Sequence, residues 1–149
     1  MKRARHSRIR VKLPRIFRLE LRSNPKFISR VEDFLRGVNR SLHLDETQFN
    51  KLLVSTTEAV NNGIIHGNKM DPGKKVSIRC EVNTTAVVVR VKDEGAGFKP
   101  EEVPDPLREE NLLRESGRGI FLMRILMDHV DYFVTPRGVE VVMRLNLDR

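Results

Sequence analysis

"EAVNNGIIHGN", residues 58–68, closes a run of helical spacing and passes directly into the turn "KMDPGKK". The helix should open near Asp45, where Asp45 and Gln48 have the spacing of a capping box, and continue to about His66. At about 100° per residue, Phe49, Leu52, Leu53, Val60 and Ile64 fall within a stripe of roughly 120°, the face that has to be covered. Glu58, Asn62 and His66 point the other way, one turn apart, as a polar row.

Reading outward, "RIFRLELRS" (residues 15–23) alternates Phe17, Leu19 and Leu21 with Arg18, Glu20 and Arg22, the period of a half-buried strand. Ser23, Asn24 and Pro25 then supply cap-like residues and a proline for a first helical position, opening a helix with Phe27, Ile28, Val31, Phe34, Leu35 and Val38 at helical spacing. Downstream, Val76, Ile78, Cys80 and Val82 share one face of a strand, and Val87, Val89 and Val91 one face of the next, with a hairpin turn near Asn83 and Thr84. Residues 98–118, with Pro100, Pro104 and Pro106 among many charges, read as a long mobile connection, the kind that serves as a lid or binding loop. "GRGIFLMRILMDHV" (residues 117–130) reads as a nearly continuous apolar helix that must be buried. "DYFVT", a turn at "PRG", and the alternating Val139, Val141, Met143 and Leu145 close the pattern with a second hairpin. The two hairpins imply a mainly antiparallel sheet with its helices on one face, a two-layer α/β (α+β) sandwich.

At 149 residues the chain fits one domain, with residues 1–13 as a basic, disordered tail and 14–149 as the folded unit. No apolar stretch approaches the roughly 20 residues that cross a bilayer, so no membrane role is expected. The start carries the charges of a signal peptide's first region, but no apolar segment of suitable length follows. Together with a lone Cys80, which can close no internal disulfide and reads as a core residue, this points to the cytoplasm. Of the net charge of +8, residues 1–15 hold seven Lys and Arg and no acid, which leaves 21 basic against 20 acidic side chains beyond them. The body is close to neutral, so any nucleic-acid contact is expected from the tail.

Three motifs could carry chemistry. In the polar row, Asn62 offers a hard carbonyl oxygen to Mg²⁺, and Glu58 can orient or deprotonate an attacking hydroxyl; a solvated helix face would contain the same residues. In "DEGAGF" (residues 93–98), Asp93 has the parity of the inward valines and so is directed toward the covered face, where a carboxylate needs a donor. An exocyclic amine such as adenine's is one candidate, and Gly95 and Gly97 would let a flat ring or phosphate approach the backbone; an ordinary glycine turn is the other reading. In "SGRGI" (residues 116–120), small residues at a helix start leave backbone N–H groups free for an anion, as would a simple hinge.

Taken in order, acid-x-x-x-Asn on a helix, Asp-x-Gly-x-Gly after a strand, a mobile segment and a glycine-rich helix start resemble the GHKL, or Bergerat-fold, ATP-binding proteins. From "EAVNNGIIHGN" through "DEGAGF" to "GRGIFLM" the chain resembles their anti-sigma-factor serine kinases, with matching element order over roughly residues 14–147. The resemblance implies a Bergerat-type mixed, mainly antiparallel sheet, ATP and Mg²⁺ as cofactors, Glu58 as general base and Asn62 as metal ligand. It implies that Asp93 accepts from the adenine amine, that Gly95, Gly97 and Phe98 shape the pocket, and that Gly117, Arg118, Gly119 and Ile120 line the phosphates beneath a lid of residues 98–118. Asn61, His66 and Asn68 are second-line contacts on this reading, His66 more a structural residue than a catalytic one. The implied substrate is a small antagonist protein of the STAS type, phosphorylated on serine or threonine. A sigma factor is the implied sequestered partner, and a homodimer is a candidate assembly. A sensor histidine kinase would require a dimerising helical segment ahead of the domain, where only about 13 tail residues stand. The alternative is a nucleotide-gated protein-binding regulator without significant kinase activity.

Overall fold

The alternation over residues 15–22 becomes strand β1 (Arg15–Arg22) at one edge of a five-stranded sheet, with Leu21 fully buried and Phe17 and Leu19 packed on the core. The computed structural model describes residues 14–96 and 115–147, with side chains from 119 onward in the second segment. Strands β2 (Lys75–Val82), β3 (Ala86–Lys92), β4 (His129–Thr135) and β5 (Gly138–Asn146) complete the sheet in the order β1-β2-β3-β5-β4. Each neighbouring pair is antiparallel, so the sheet is not the mixed one that the resemblance implied. β3 and β5 are adjacent although distant in sequence, with Val89 opposite Met143 and Val91 opposite Val141. The β2–β3 hairpin turns where expected, with Asn83 Oδ1 accepting from the backbone N–H groups of Thr85 and Ala86.

Among the described residues three α-helices cover one face: α1 (Ser29–Leu42), α2 (Glu46–Asn62) and α3 (Glu115–Leu126). Asn24 and Pro25 open a short 3-10 turn, Pro25–Phe27, and α1 proper begins at Ser29, later than the cap residues suggest. Asp45 caps α2 through Oδ1, which accepts from Gln48 N–H at 2.8 Å. The return half of a capping box does not form: the Gln48 side-chain oxygen is buried without a partner among the described residues.

Val31, Leu35 and Val38 of α1, Leu52 and Val60 of α2 and Met123 of α3 interleave with the sheet's inward valines to form the core. Burying each such side chain is worth about 1.5–3 kcal/mol. Cys80 is part of this core, and burial pushes its thiol up to about 12, so it is unreactive at neutral pH.

The third helix departs from expectation in two ways. From residue 119 onward it buries Gly119, Met123 and the adjoining Met127, while Phe121 and Ile125 are 39% and 62% exposed; this part lies on the sheet by one face rather than inside the core. It also ends at Leu126, because Asp128 switches the chain into β4: its N–H donates to Arg144 O and its carboxylate accepts from Asn146 N–H. At its start, Glu115–Arg118 are helical, so the connection stops short of residue 118.

The topology sets the helix directions. Asp93 at the end of β3, Gly138 at the start of β5 and the end of α2 share one end of the sheet. α3 runs from beside that end of α2 to the start of β4 at the opposite end, so α2 and α3 are antiparallel.

Candidate functional site at the ends of α2, β3 and α3

α2 does not continue as an α-helix to His66. After Asn62 it widens into a π turn, Gly63–Gly67, closed by Asn68 N–H donating to Gly63 O at 2.8 Å. The wider turn carries His66 off the row, where it is exposed, and the row that remains is Glu58 and Asn62, both half-buried. The same turn presents two glycines to β3. A Cβ on Gly63 would lie 3.2 Å from Val76 and 3.5 Å from Asp93 Cβ, and one on Gly67 would run into the Asp93 carboxylate.

Asp93 therefore sits in a cradle that glycine alone permits. A Cβ on Gly95 would collide with the Gly67 backbone. One on Gly138 would collide with the Asp93 backbone, and Gly138 adopts φ +141°, a conformation L-residues with side chains rarely take. Asp93 is 6% exposed, on the covered face as its parity with Val87, Val89 and Val91 required. Its Oδ1 accepts from the N–H groups of Gly95 at 3.0 Å and Val139 at 3.1 Å. Oδ2, the oxygen beside Gly67, has no donor among the described residues. Burial raises the carboxyl's pKa above the ordinary range, opposed by the two backbone donors and by the positive charge of Lys74.

A clamp holds this cradle in place. Asn68, 1% exposed, donates from Nδ2 to Ser23 Oγ at 2.7 Å and Lys75 O at 2.9 Å, and its Oδ1 accepts from Glu94 N–H at 2.7 Å. One side chain thus ties the ends of β1, β2 and β3 together. With both Nδ2 hydrogens engaged and Oδ1 in use, Asn68 positions the backbone around the cradle.

The first turn of α3 closes the site from the other side. A Cβ on Gly119 would lie 2.7 Å from Glu58 Oε2 and 3.3 Å from Asn62 Nδ2, so the bare Gly119 backbone packs directly on the polar row. Glu58, Asn62 and Gly119 are thus brought together, and one residue after Asn62 the chain reaches Asp93 through Gly63. Gly117 and Arg118 precede Gly119 inside α3, and Ile120 is half-buried against the core. Asn61 is half-buried beside the row. Gly97, Phe98 and the expected lid up to residue 114 lie outside the described residues. Sequence reasoning overlooked Gly67 and Gly138 as walls for Asp93; "PRG" signalled only a turn, and only the β3–β5 register brings Gly138 to the carboxylate.

A protein-family model, the histidine kinase-like ATPase domain, matches residues 21–145. The chain belongs to the histidine kinase-like ATPase family. Among its relatives in this family, the anti-sigma F factor of Oceanobacillus iheyensis is 35% identical over 109 residues, spanning 71% of this chain and 73% of that one. The serine-protein kinase RsbW of Listeria innocua is 28% identical over 131 residues, 84% of this chain and 83% of that protein. The same fold occurs in the solved structure of the RsbU and RsbW domains of Rv1364c from Mycobacterium tuberculosis. That structure has a TM-score of 0.68 at 14% identity and covers 91% of this chain and 33% of that one. The histidine kinase domain from Erythrobacter litoralis EL346 blue-light activated histidine kinase superposes with a TM-score of 0.56 at 15% identity, covering 81% of this chain and 61% of that one. Membership of an ATPase family implies the use of ATP. No helix among the described residues is long and apolar enough to cross a membrane.

Proposed function

We propose that this chain is an ATP- and Mg²⁺-dependent protein serine/threonine kinase acting as an anti-sigma factor in the cytoplasm, which phosphorylates a STAS-type antagonist protein and sequesters a sigma factor. The observation that carries this reading is the convergence of the Glu58 carboxylate and the Asn62 amide on the bare backbone of Gly119. Relatives named anti-sigma F factor and serine-protein kinase support it. The resemblance extends to a homodimer as the working assembly.

Asp93 suits the adenine end. Its unpaired Oδ2, held by a carboxyl whose other oxygen is fixed by two backbone donors, can accept from an exocyclic amine. Gly67 and Gly95 leave the room a flat ring needs, a role that Gly97 and Phe98 would share. At the other end Glu58 orients and deprotonates the acceptor hydroxyl, while Arg118 and the backbone of Gly117 and Gly119 attend the phosphates. Asn62 fits a metal only as part of a shared site. Among the described residues no three His, Cys, Asp or Glu side chains cluster to hold an ion, and Mg²⁺ is commonly held by one or two protein oxygens plus substrate phosphates. When bound there, Mg²⁺ supplies charge neutralisation at the transferred phosphoryl group.

Calorimetry tests the reading at its base. ATP and ADP should bind with saturable heat, more tightly with Mg²⁺ than without, and Asn62→Ala should remove most of the Mg²⁺ dependence. Absence of heat at ligand concentrations up to roughly 1 mM, which corresponds to about −4 kcal/mol, would overturn it.

Gly119→Ala separates folding from chemistry. The added methyl meets the far end of Glu58, a flexible side chain that can swing aside, so the fold should survive. A glycine-to-alanine change inside a helix also favours the folded state by about 0.5–1 kcal/mol, so thermal melting should stay level or rise. Phosphoryl transfer should fall by roughly 10-fold or more, because displacing a catalytic group by about 1 Å is enough for a large loss. Wild-type transfer in this variant would show that Gly119 does not set the position of Glu58.

A further inference from the structure

Among the described residues the sheet's other face carries no helix, and its charges are arranged in a way the nucleotide site does not use. Arg18, Arg79 and Arg90 stand directly opposite one another on β1, β2 and β3, in a row across the strands. Like charges placed directly opposite destabilise a sheet, so folding alone gives no reason for the row. Its compensation is partial: Arg90 reaches Glu140 at 3.1 Å, Arg79 reaches Glu81 only at 3.9 Å, and Arg18 has no acidic partner among the described residues. The Arg79 Nε is buried without an acceptor among the described residues. Around the row the same face adds Arg22, Lys75, Lys92 and Arg144, so seven cations meet four acids: Glu20, Glu81, Asp131 and Glu140. The described residues together carry 18 basic and 14 acidic side chains, a surplus of +4, so a net +3 of that +4 lies on this face.

We infer that the open sheet face is a docking surface for an acidic helix of a partner protein, with the Arg18–Arg79–Arg90 row as its centre. Strands lie about 4.8 Å apart, so the row presents a guanidinium at about that interval over roughly 10 Å. Acidic side chains at i and i+4 on a helix are spaced about 5–6 Å apart, so a helix crossing the strands can match the row turn by turn. Arginine suits this use, since its planar fork binds a carboxylate through two parallel bonds. Nucleic acid fits less well. Among the described residues this face offers no element to enter a groove, and Phe133 is its one aromatic for stacking a base. The surface lies across the sheet from Asp93, so partner docking and nucleotide binding occupy different faces and the inference does not depend on the kinase reading.

The probe is a 20-residue alanine-based helical peptide with glutamate at every fourth position, titrated against the full chain at about 50 mM salt, where exposed charges are weakly screened. The peptide should bind, and Arg18→Gln/Arg79→Gln/Arg90→Gln should weaken it by roughly 10-fold, the sum expected of three exposed ion pairs. Replacing the six Lys and Arg of residues 1–13 by Gln should weaken it less than the triple change does. The triple variant should bind Mg-ATP as the wild type does and melt no lower, because it relieves repulsion; a clearly lower melting temperature would assign the row a structural role and overturn the inference. Arg18→Glu, at an exposed side chain with no ion pair to lose, is the second variant and should weaken the peptide on its own. Three further results would overturn the inference: equal peptide affinity in the triple variant and wild type, loss confined to the tail variant, or a 20-nucleotide DNA that binds more tightly than the peptide and is released by the triple change.

Discussion

Glu58→Gln should lower phosphoryl transfer by roughly 10²–10⁴-fold, the usual contribution of a positioned general base, while changing ATP affinity by no more than about 3-fold. The asymmetry follows from where Glu58 stands. Its Oε2 lies against the Gly119 backbone at the first turn of α3, on the phosphate side of the site, whereas the adenine end is assigned to Asp93 and the glycines around it. Glutamine keeps the shape and the packing on Gly119 but cannot accept a proton. The measurement is single-turnover transfer of a labelled γ-phosphoryl group to a STAS-type antagonist protein, with ATP affinity determined in parallel by calorimetry. A loss in transfer that tracks a loss in affinity would make Glu58 a binding residue. Unchanged transfer would favour the nucleotide-gated regulator, in which no base is needed.

Much of this site was legible in the sequence because it depends on parity and on one helical turn. The alternation of Val87, Val89 and Val91 extends to Asp93 with no structural knowledge, and it placed the carboxylate on the covered face correctly. Glu58 and Asn62 are one turn apart within a regular helix, which spacing alone fixes. His66 was misplaced because the helical period fails after Asn62. The π turn there is set by the approach of Gly67 to Asp93 and Gly95, a contact between segments about 27 residues apart that no local pattern reports. The same limit explains Gly138, which reads as a turn residue until the β3–β5 register brings it beneath Asp93. α3 failed for a different reason. An unbroken apolar run gives no moment to read, so the sequence could not show that one face would cover the sheet and that Phe121 and Ile125 would remain outside.

Asp93→Asn should separate nucleotide binding from stability more sharply than any other change at this site. Asparagine is nearly the same size, and its side-chain oxygen can still accept from the N–H groups of Gly95 and Val139, so the cradle should keep its geometry. What changes is the group beside Gly67: a free acceptor becomes an NH₂ donor, which would face adenine's own amine. A buried pairing replaced by two opposed donors loses about 1–3 kcal/mol, so ATP should bind roughly 5- to 150-fold more weakly. Stability should move the other way. The folded-state pKa of Asp93 is raised, chiefly by burial, so the native protein holds this proton more tightly than the unfolded chain. Its effect on stability is therefore favourable at low pH and is lost as pH rises from the ordinary carboxylate value through the raised one, leaving a buried charge at neutral pH. The variant has no such titration. It should melt at or above the wild type at pH 7, with the difference shrinking as the pH falls toward the ordinary carboxylate range. Melting curves across pH, paired with ATP titrations, read both effects. A variant that melts well below the wild type at pH 7 would mean the carboxylate's charge supports the fold, and one that binds ATP normally would remove Asp93 from the adenine pocket.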